Sequence, residues 1–308
     1  MSNGITTHRN LAASITRAAS KQADFTIRFL VDRDRTANAY RAYGYFRWVD
    51  DQLDQGKLDR SACLRFIDRQ ATIVDRMYCG GSLPNPTLEE CLLIDLIHSD
   101  PDADSGLQSY IRNMLAVMAF DAERRGRLIS DRELTDYTRH LAVAVTDALH
   151  YFIGHHACSP QGETRHLAAA GAHIIHMLRD TIEDTANGYY NIPVEYLELH
   201  AITPHDIASE AYRAWVRDRV EQAQHCLTAG WRYLEQVQNL RCRVAGCAYI
   251  ARFEGVLQML RRDDYLIKPD YAGHLRFTSG LRTIGSTLRQ SLKVRRIQSE
   301  SVAAATNG

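Results

Sequence analysis

The chain lacks any apolar run of the roughly 18 residues that a membrane-spanning helix needs. Met1 to Thr16 holds no apolar core of the kind that directs secretion. Net charge is also missing, with 37 Lys and Arg against 37 Asp and Glu in 308 residues, so nothing in the balance calls for nucleic acid or an acidic surface. Cysteine is sparse and odd in number. Cys63, Cys79, Cys91, Cys158, Cys226, Cys242 and Cys247 include no CxxC pair, which argues against a disulfide frame or a zinc site. They read as reduced thiols of a cytoplasmic protein. Strand-type alternation of Val, Ile and Tyr is absent throughout, and no repeat or low-complexity segment occurs.

Proline is scarce, and its placement is informative. Pro84, Pro86, Pro101, Pro160, Pro193, Pro204 and Pro269 all fall between segments with apolar residues at three- and four-residue spacing. Proline-free stretches of that period predict helices. They are expected over 8–22, from Asp34 through the Asp50 region, 57–78, 88–98, 105–126, 130–154, 163–187, 204–237 with a bend at Gly230, 240–263 and 277–293. Thr87 with Glu90, and Ser130 with Glu133, read as capping boxes. Asn187-Gly188 reads as a C-cap. The expected fold is one all-α helical bundle over 1–300 with a central cavity, followed by a fraying tail over 301–308.

Two acidic pairs stand out within that pattern. Asp180 and Asp184 lie four residues apart after the apolar run 168–178, and Asp50 and Asp54, with Asp51 between them, follow an aromatic run from Tyr40 to Trp48. On a helix this spacing puts both carboxylates on one face, where they repel unless a cation neutralises them. A DxxxD spacing alone is usually a solvated acidic face, and the chain carries such a decoy at Asp100-Pro101-Asp102-Ala103-Asp104, read as a loop. The other two pairs differ in their apolar approach and in a nearby Arg, Arg47 or Arg179. Carboxylates with no nucleophile or general base beside them suit Mg2+, which keeps phosphate oxygens in its shell. A neighbouring Arg suits a diphosphate, and an aromatic-walled dry cavity suits a carbocation. Together these features describe ionisation of an allylic diphosphate.

The chain resembles the squalene/phytoene synthase family of head-to-head prenyl synthases over roughly 15–295. Tyr43-Gly44-Tyr45-Phe46-Arg47 through Asp50-Asp51 to Asp54 is similar to that family's first acidic motif. Leu178-Arg179-Asp180 through Asp184, with Gly188 and Pro193, is similar to its second. Phe253-Glu254, Asp264-Tyr265 and Ser20-Lys21 resemble flanking family positions. The resemblance implies an all-α isoprenoid-synthase fold and Mg2+-dependent condensation of two prenyl diphosphates through a cyclopropyl intermediate. It implies metal ligands at Asp50, Asp51, Asp54, Asp180 and Asp184, with Arg47 and Arg179 on the diphosphates and Tyr43 toward the cation. Ser20, Lys21 and Tyr249 are expected to contact substrate. NADPH use gains no support, since no Gly-rich dinucleotide loop is present.

The chain also departs from the family pattern. His173 and His176 replace the usual Gln and Asn. They share a face with Asp180 and read either as donors to a metal or diphosphate or as bonded core histidines. Tyr189 and Asn191 stand where the family has Arg and Tyr. Val143 and Thr146 replace two glycines and are expected to narrow the cavity, which favours farnesyl over geranylgeranyl diphosphate. Two rival readings are weaker. A di-iron bundle needs two Glu-x-x-His motifs, and only Glu163 to His166 fits. A non-catalytic scaffold has no physical reason to retain the acidic pairs. The basic run Lys293-Val294-Arg295-Arg296 is read as a solvated helix end, with peripheral contact to anionic lipid left open.

Overall fold

The computed structural model describes residues 2–54, 59–100, 102, 104–155, 157, 159–269 and 271. The side chains of residues 2–10 and of Asp54 lie outside the described set. So do the expected helix over 277–293, the basic run Lys293-Val294-Arg295-Arg296 and the tail over 301–308.

The described chain is almost entirely helical. It begins with α1 (Ser2–Ala19), α2 (Lys21–Phe29), α3 (Thr36–Asp54), α4 (Arg60–Tyr78), α5 (Leu88–His98) and α6 (Gly106–Arg124). It continues through α7 (Asp131–Phe152), α8 (Leu167–Ala186), α9 (Val194–His200), α10 (Glu210–Gln236) and α11 (Leu240–Arg262). Both capping boxes form: Thr87 and Ser130 accept from the amides of Glu90 and Glu133, whose side chains reach back. Both lock the first turn of a helix whose apolar face is buried. No described helix is long and apolar enough to cross a membrane. Six cysteines are free thiols; Cys158 lies outside the described residues.

Several expectations need correction. The helix over 8–22 is two helices, because Ser20 is extended and its hydroxyl accepts from the Ala23 amide at 3.1 Å, capping α2. A local serine cap outweighs the continuous apolar period. The helix expected from Thr203-Pro204 starts at Glu210, capped by Ser209. Asp206 accepts from the Thr203 amide and hydroxyl at 2.7 and 2.8 Å, closing a turn instead. The segment at 163 opens as a 3-10 turn, Glu163–His166, before α8 proper.

Strand structure is not wholly absent. β1 (Arg127–Ile129) and β2 (Tyr189–Pro193) form a short parallel pair. Each follows a glycine in the left-handed region, Gly126 at φ 74° and Gly188 at φ 84°. The Gly126 amide donates to the Gly188 carbonyl at 2.8 Å. Strands this short carry too little alternation to be read from sequence. Their effect is to tie the end of α6 to the end of α8.

α8 is the central helix and packs against α7, α10 and α11. Its contact with α10 depends on two glycines. A Cβ at Gly230 would lie 2.6 Å from the Ala168 Cβ, and one at Gly171 would lie 2.9 Å from the Ala223 carbonyl oxygen. Gly230 therefore serves close approach. α10 runs unbroken from Glu210 to Gln236. Gly230→Ala should destabilise the protein by about 1–3 kcal/mol through overpacking. Gly255→Ala on α11, where a Cβ meets nothing within 4 Å, should instead stabilise by about 0.5–1 kcal/mol from helix propensity. Thermal melts of the two variants read the opposite signs.

Candidate active site

Two cavities border the central helix α8. The smaller, about 300 Å3, is polar and is lined by Asp50 on α3, Asp121 and Arg124 on α6, Tyr137 on α7, His173, His176, Asp180 and Asp184 on α8, and Tyr189. The larger, about 490 Å3, is mostly apolar. Its wall includes Ala39, Ala42 and Tyr43 on α3, Tyr110 on α6, Ala168 and Ala169 on α8, and Tyr249 on α11. At 1.5 Å per residue, Ala169 and His173 are about 6 Å apart along α8, so the cavities adjoin.

The two acidic motifs meet as their spacing implies: Asp50 faces the same cavity as Asp180 and Asp184. Asp54 lies on the last turn of α3, with its side chain outside the described residues. Arg47 bonds Asp50 at 3.0 Å and also bonds Asp51, so Asp51 is turned toward that guanidinium and does not line the cavity. On α8 the Arg179 guanidinium grips Asp180 with both a 2.6 Å and a 2.5 Å bond, and His176 Nε2 reaches the same carboxylate at 3.0 Å.

The environments drive the two α8 carboxyls apart. Burial opposes ionisation of Asp180, but its bonds with Arg179 and His176 outweigh that and hold it well below the usual carboxylate range. Burial pushes the Asp184 carboxyl up to about 6. The Asn191 amide donates to it at 2.7 Å and opposes the rise, while the Asp180 charge adds to it.

The acidic decoy at 100–104 is structural. Asp100 accepts from Tyr78 at 3.1 Å and from Ser105 at 2.5 Å.

Several residues of the site escaped sequence reading. Asp121 accepts from Arg124 Nε at 2.7 Å and from the Tyr137 hydroxyl at 3.0 Å. Arg124 is only 4% exposed and also donates to Asn191 at 2.7 Å. Its guanidinium lies over the rings of Tyr137 and Tyr189, at 4.8 and 5.0 Å from their centroids. Asp121 and Arg124 sit in Phe120-Asp121-Ala122-Glu123-Arg124-Arg125, which looks like a solvated helix end. The available signal was Met118, Asp121 and Ala122 falling on one helical face.

Other expected residues separate. Tyr43 and Tyr249 line the apolar cavity, and so does Ser20, whose hydroxyl is engaged as a cap. Lys21 is exposed and lines neither cavity. Thr146 lines the apolar cavity as expected, but Val143 does not; Val145 takes its place. Glu163 and His166 lie on the 3-10 turn, and neither lines the carboxylate cavity.

The donors suit a divalent cation in part. Oxygens from Asp50, Asp180 and Asp184 border one cavity. Among the described residues no three His, Cys, Asp or Glu side chains converge to hold a metal unaided. A cation here must take its remaining ligands from substrate and water, which is how Mg2+ is commonly held. Both ring nitrogens of His173 are buried and unpartnered in this cavity. An orphaned polar group of that kind calls for a ligand.

The family model described as squalene/phytoene synthase matches residues 16–280. No curated protein matches the chain. Three similar solved structures have the same helical fold. The squalene synthase HpnC from Alicyclobacillus acidocaldarius is 19% identical with a TM-score of 0.67, over 86% of this chain and 97% of its own. A dehydrosqualene synthase with bound ligand is 16% identical with a TM-score of 0.68, over 96% and 98%. TcSQS with the ligand BPH1237 is 13% identical with a TM-score of 0.64, over 93% and 91%.

His173 also sets a pH dependence. It is 5% exposed, and burial, followed by the charges of His176, Arg124 and Arg219, pushes its pKa well below 6.5. The folded protein keeps the ring neutral while the unfolded chain protonates it near pH 6.5. Stability from this group is therefore full above that pH and falls as pH drops, by at most about 2 kcal/mol at pH 5. Asp184 acts in the opposite sense, because its raised pKa lets the folded state take up a proton first. Comparing His173→Phe with the parent isolates the histidine. Denaturant titrations should show the variant gaining on the parent by up to that amount between pH 7 and pH 5.

Proposed function

This chain belongs to the squalene/phytoene synthase family of prenyltransferases, and we propose that it condenses two farnesyl diphosphates head to head through a cyclopropyl diphosphate to a thirty-carbon squalene- or presqualene-type product. The observation that carries the reading is Asp50 facing Asp180 and Asp184 across a polar cavity that adjoins an apolar one. Such a division suits a substrate with a charged head and a hydrocarbon tail.

A divalent cation held at Asp50, Asp180 and Asp184, Mg2+ by their oxygen donors, supplies Lewis-acid charge to the leaving diphosphate. Arg47 and Arg179 line neither cavity and are tied to neighbouring carboxylates, so they reach a diphosphate only once those ion pairs open. Arg124 keeps a fixed positive charge at the cavity wall. Tyr43, Tyr110 and Tyr249 line the tail cavity, where cation–π attraction would steady a carbocation. Their packing excludes water that would otherwise capture it.

Asp180→Asn should keep helicity and lower turnover by about 10²–10³-fold. Product yield near that of the parent would remove the acidic unit from the mechanism. Chain length is tested by competition between farnesyl and geranylgeranyl diphosphates, read by product mass. The parent should give the thirty-carbon skeleton. Thr146→Gly should widen acceptance toward the longer substrate, and Val143→Gly, away from the wall, should leave the ratio unchanged. A parent that already prefers geranylgeranyl diphosphate would make the forty-carbon, phytoene-type assignment the correct one.

A further inference from the structure

Among the described residues three arginines line the two cavities, and two of them are matched by carboxylates: Arg124 by Asp121 and Arg165 by Asp147. The third, Arg252 on α11, lines the apolar cavity. Among the described residues no carboxylate is in ion-pair contact with it. Its Nη1 donates instead to a neutral group, the side-chain carbonyl of Gln22 on α2, at 2.9 Å. Gln22 lines the same cavity.

The position of Arg252 suits the head of a substrate whose tail enters that cavity. Its guanidinium lies 5.6 Å from the centroid of the Phe253 ring. Phe253 packs edge-on to His176 of the polar cavity, with centroids 6.4 Å apart. Arg252 therefore stands on the side of the apolar cavity toward the polar one. The charges of Arg179 and Asp180 both reach it, but each is already the other's partner. Burial and the Arg179 charge disfavour the Arg252 cation, and together they outweigh the help from Tyr249 and Asp180. A guanidinium does not shed its proton in a protein. Arg252 is thus a half-buried charge that lacks an anion.

Resting on the diphosphate reading above, we infer that Arg252, with Gln22, binds the diphosphate of one of the two prenyl substrates directly, without a metal ion, while the chain of that substrate lies in the apolar cavity. The planar guanidinium takes two phosphate oxygens in a forked pair of hydrogen bonds. The Gln22 side-chain amide supplies a further donor. The carboxylates of the polar cavity, by contrast, repel an anion until a cation is bound among them. The two substrates are held by different means, one through metal and one through arginine.

Calorimetry of the full chain with farnesyl S-thiolodiphosphate, whose carbon–sulfur bond resists ionisation, tests this in EDTA and again with Mg2+. In EDTA the parent should bind the analogue, and Arg252→Gln should weaken that binding about tenfold or more. Arg252→Lys, which keeps the charge, should recover part of the loss. Arg28→Gln removes the same charge from an exposed position on α2 and should change the affinity by less than about twofold. Farnesol carries the same chain without the diphosphate, so its affinity should be alike in the parent and in Arg252→Gln. Circular dichroism checks that the variants fold. An equal loss for farnesol and the analogue would make Arg252 a wall residue only and overturn the inference. So would unchanged affinity in Arg252→Gln, or a loss of the same size in Arg28→Gln. A parent that binds the analogue only when Mg2+ is present overturns this inference and leaves the diphosphate reading standing. A parent that holds the analogue no better than farnesol, with or without Mg2+, removes both.

Discussion

The buried guanidinium of Arg124 is the interaction on which the polar cavity depends. It joins three pieces of chain. Asp121 on its own helix neutralises it, Asn191 on β2 accepts from it, and Asn191 in turn donates to Asp184 on α8. The rings of Tyr137 and Tyr189 lie against it, at 4.8 and 5.0 Å. A charge this deeply buried is tolerated only because each side is matched; removing one partner of such a group typically costs about 3–5 kcal/mol. The same network sets the amide that touches Asp184, so a stability element and a site element are one structure. The short β1–β2 pair belongs to it, because it fixes β2 beside the end of α6.

The position of α8 follows from a different constraint, the absence of side chains. Gly171 and Gly230 let α8 and α10 approach until a single Cβ would collide. Interiors packed at crystal-like density respond to one methylene, so the axial and rotational setting of α8 is fixed. That setting aims residues 173, 176, 180 and 184 into one cavity while 168 and 169 reach the other. Repulsion between the Asp180 and Asp184 carboxylates is therefore built into a rigid helix and cannot relax by a shift of the backbone. It is met instead by charge from Arg179, by the Asn191 amide and by the upward shift of Asp184.

Much of this was legible in the sequence, and the failures have physical causes. Helical period and proline placement gave the all-α bundle, and the acidic pairs led to the cavity because their apolar approach sets them apart from a solvated face. Ser20 broke a helix that periodicity ran through, since one hydroxyl-to-amide bond is invisible to a period. The strands were too short for alternation to register. Asp121 and Arg124 hid in a charged segment because burial of a matched ion pair leaves no mark in composition. Val143 was misassigned for a related reason: aligned motifs locate a position along a helix, but the neighbouring helices decide which face meets the cavity. Thr146 and Val145 line it, and Val143, nearer the start of α7, does not.

The far end of the apolar cavity shows how polar groups can line a mostly apolar space without an open lone pair. His150, Tyr233 and Arg165 are all on its wall. His150 lies 13 residues beyond Tyr137 of the polar cavity, about 20 Å farther along the axis of α7. Its Nε2 pairs with the Tyr233 hydroxyl at 2.7 Å and its Nδ1 with Ser159 at 3.2 Å. Burial, with the Arg165 charge, pushes its pKa down to about 4, so the ring is neutral. Both nitrogens are engaged, and Arg165 is itself neutralised by Asp147 at 2.8 Å. Lone pairs already committed to hydrogen bonds are poor bases and poor nucleophiles toward a cation. The contrast with His173 then has a chemical sense. At this end the His150 ring and the Tyr233 hydroxyl are paired within the protein, and the Arg165 charge is met by Asp147. At the polar cavity one imidazole, His173, is left unmatched.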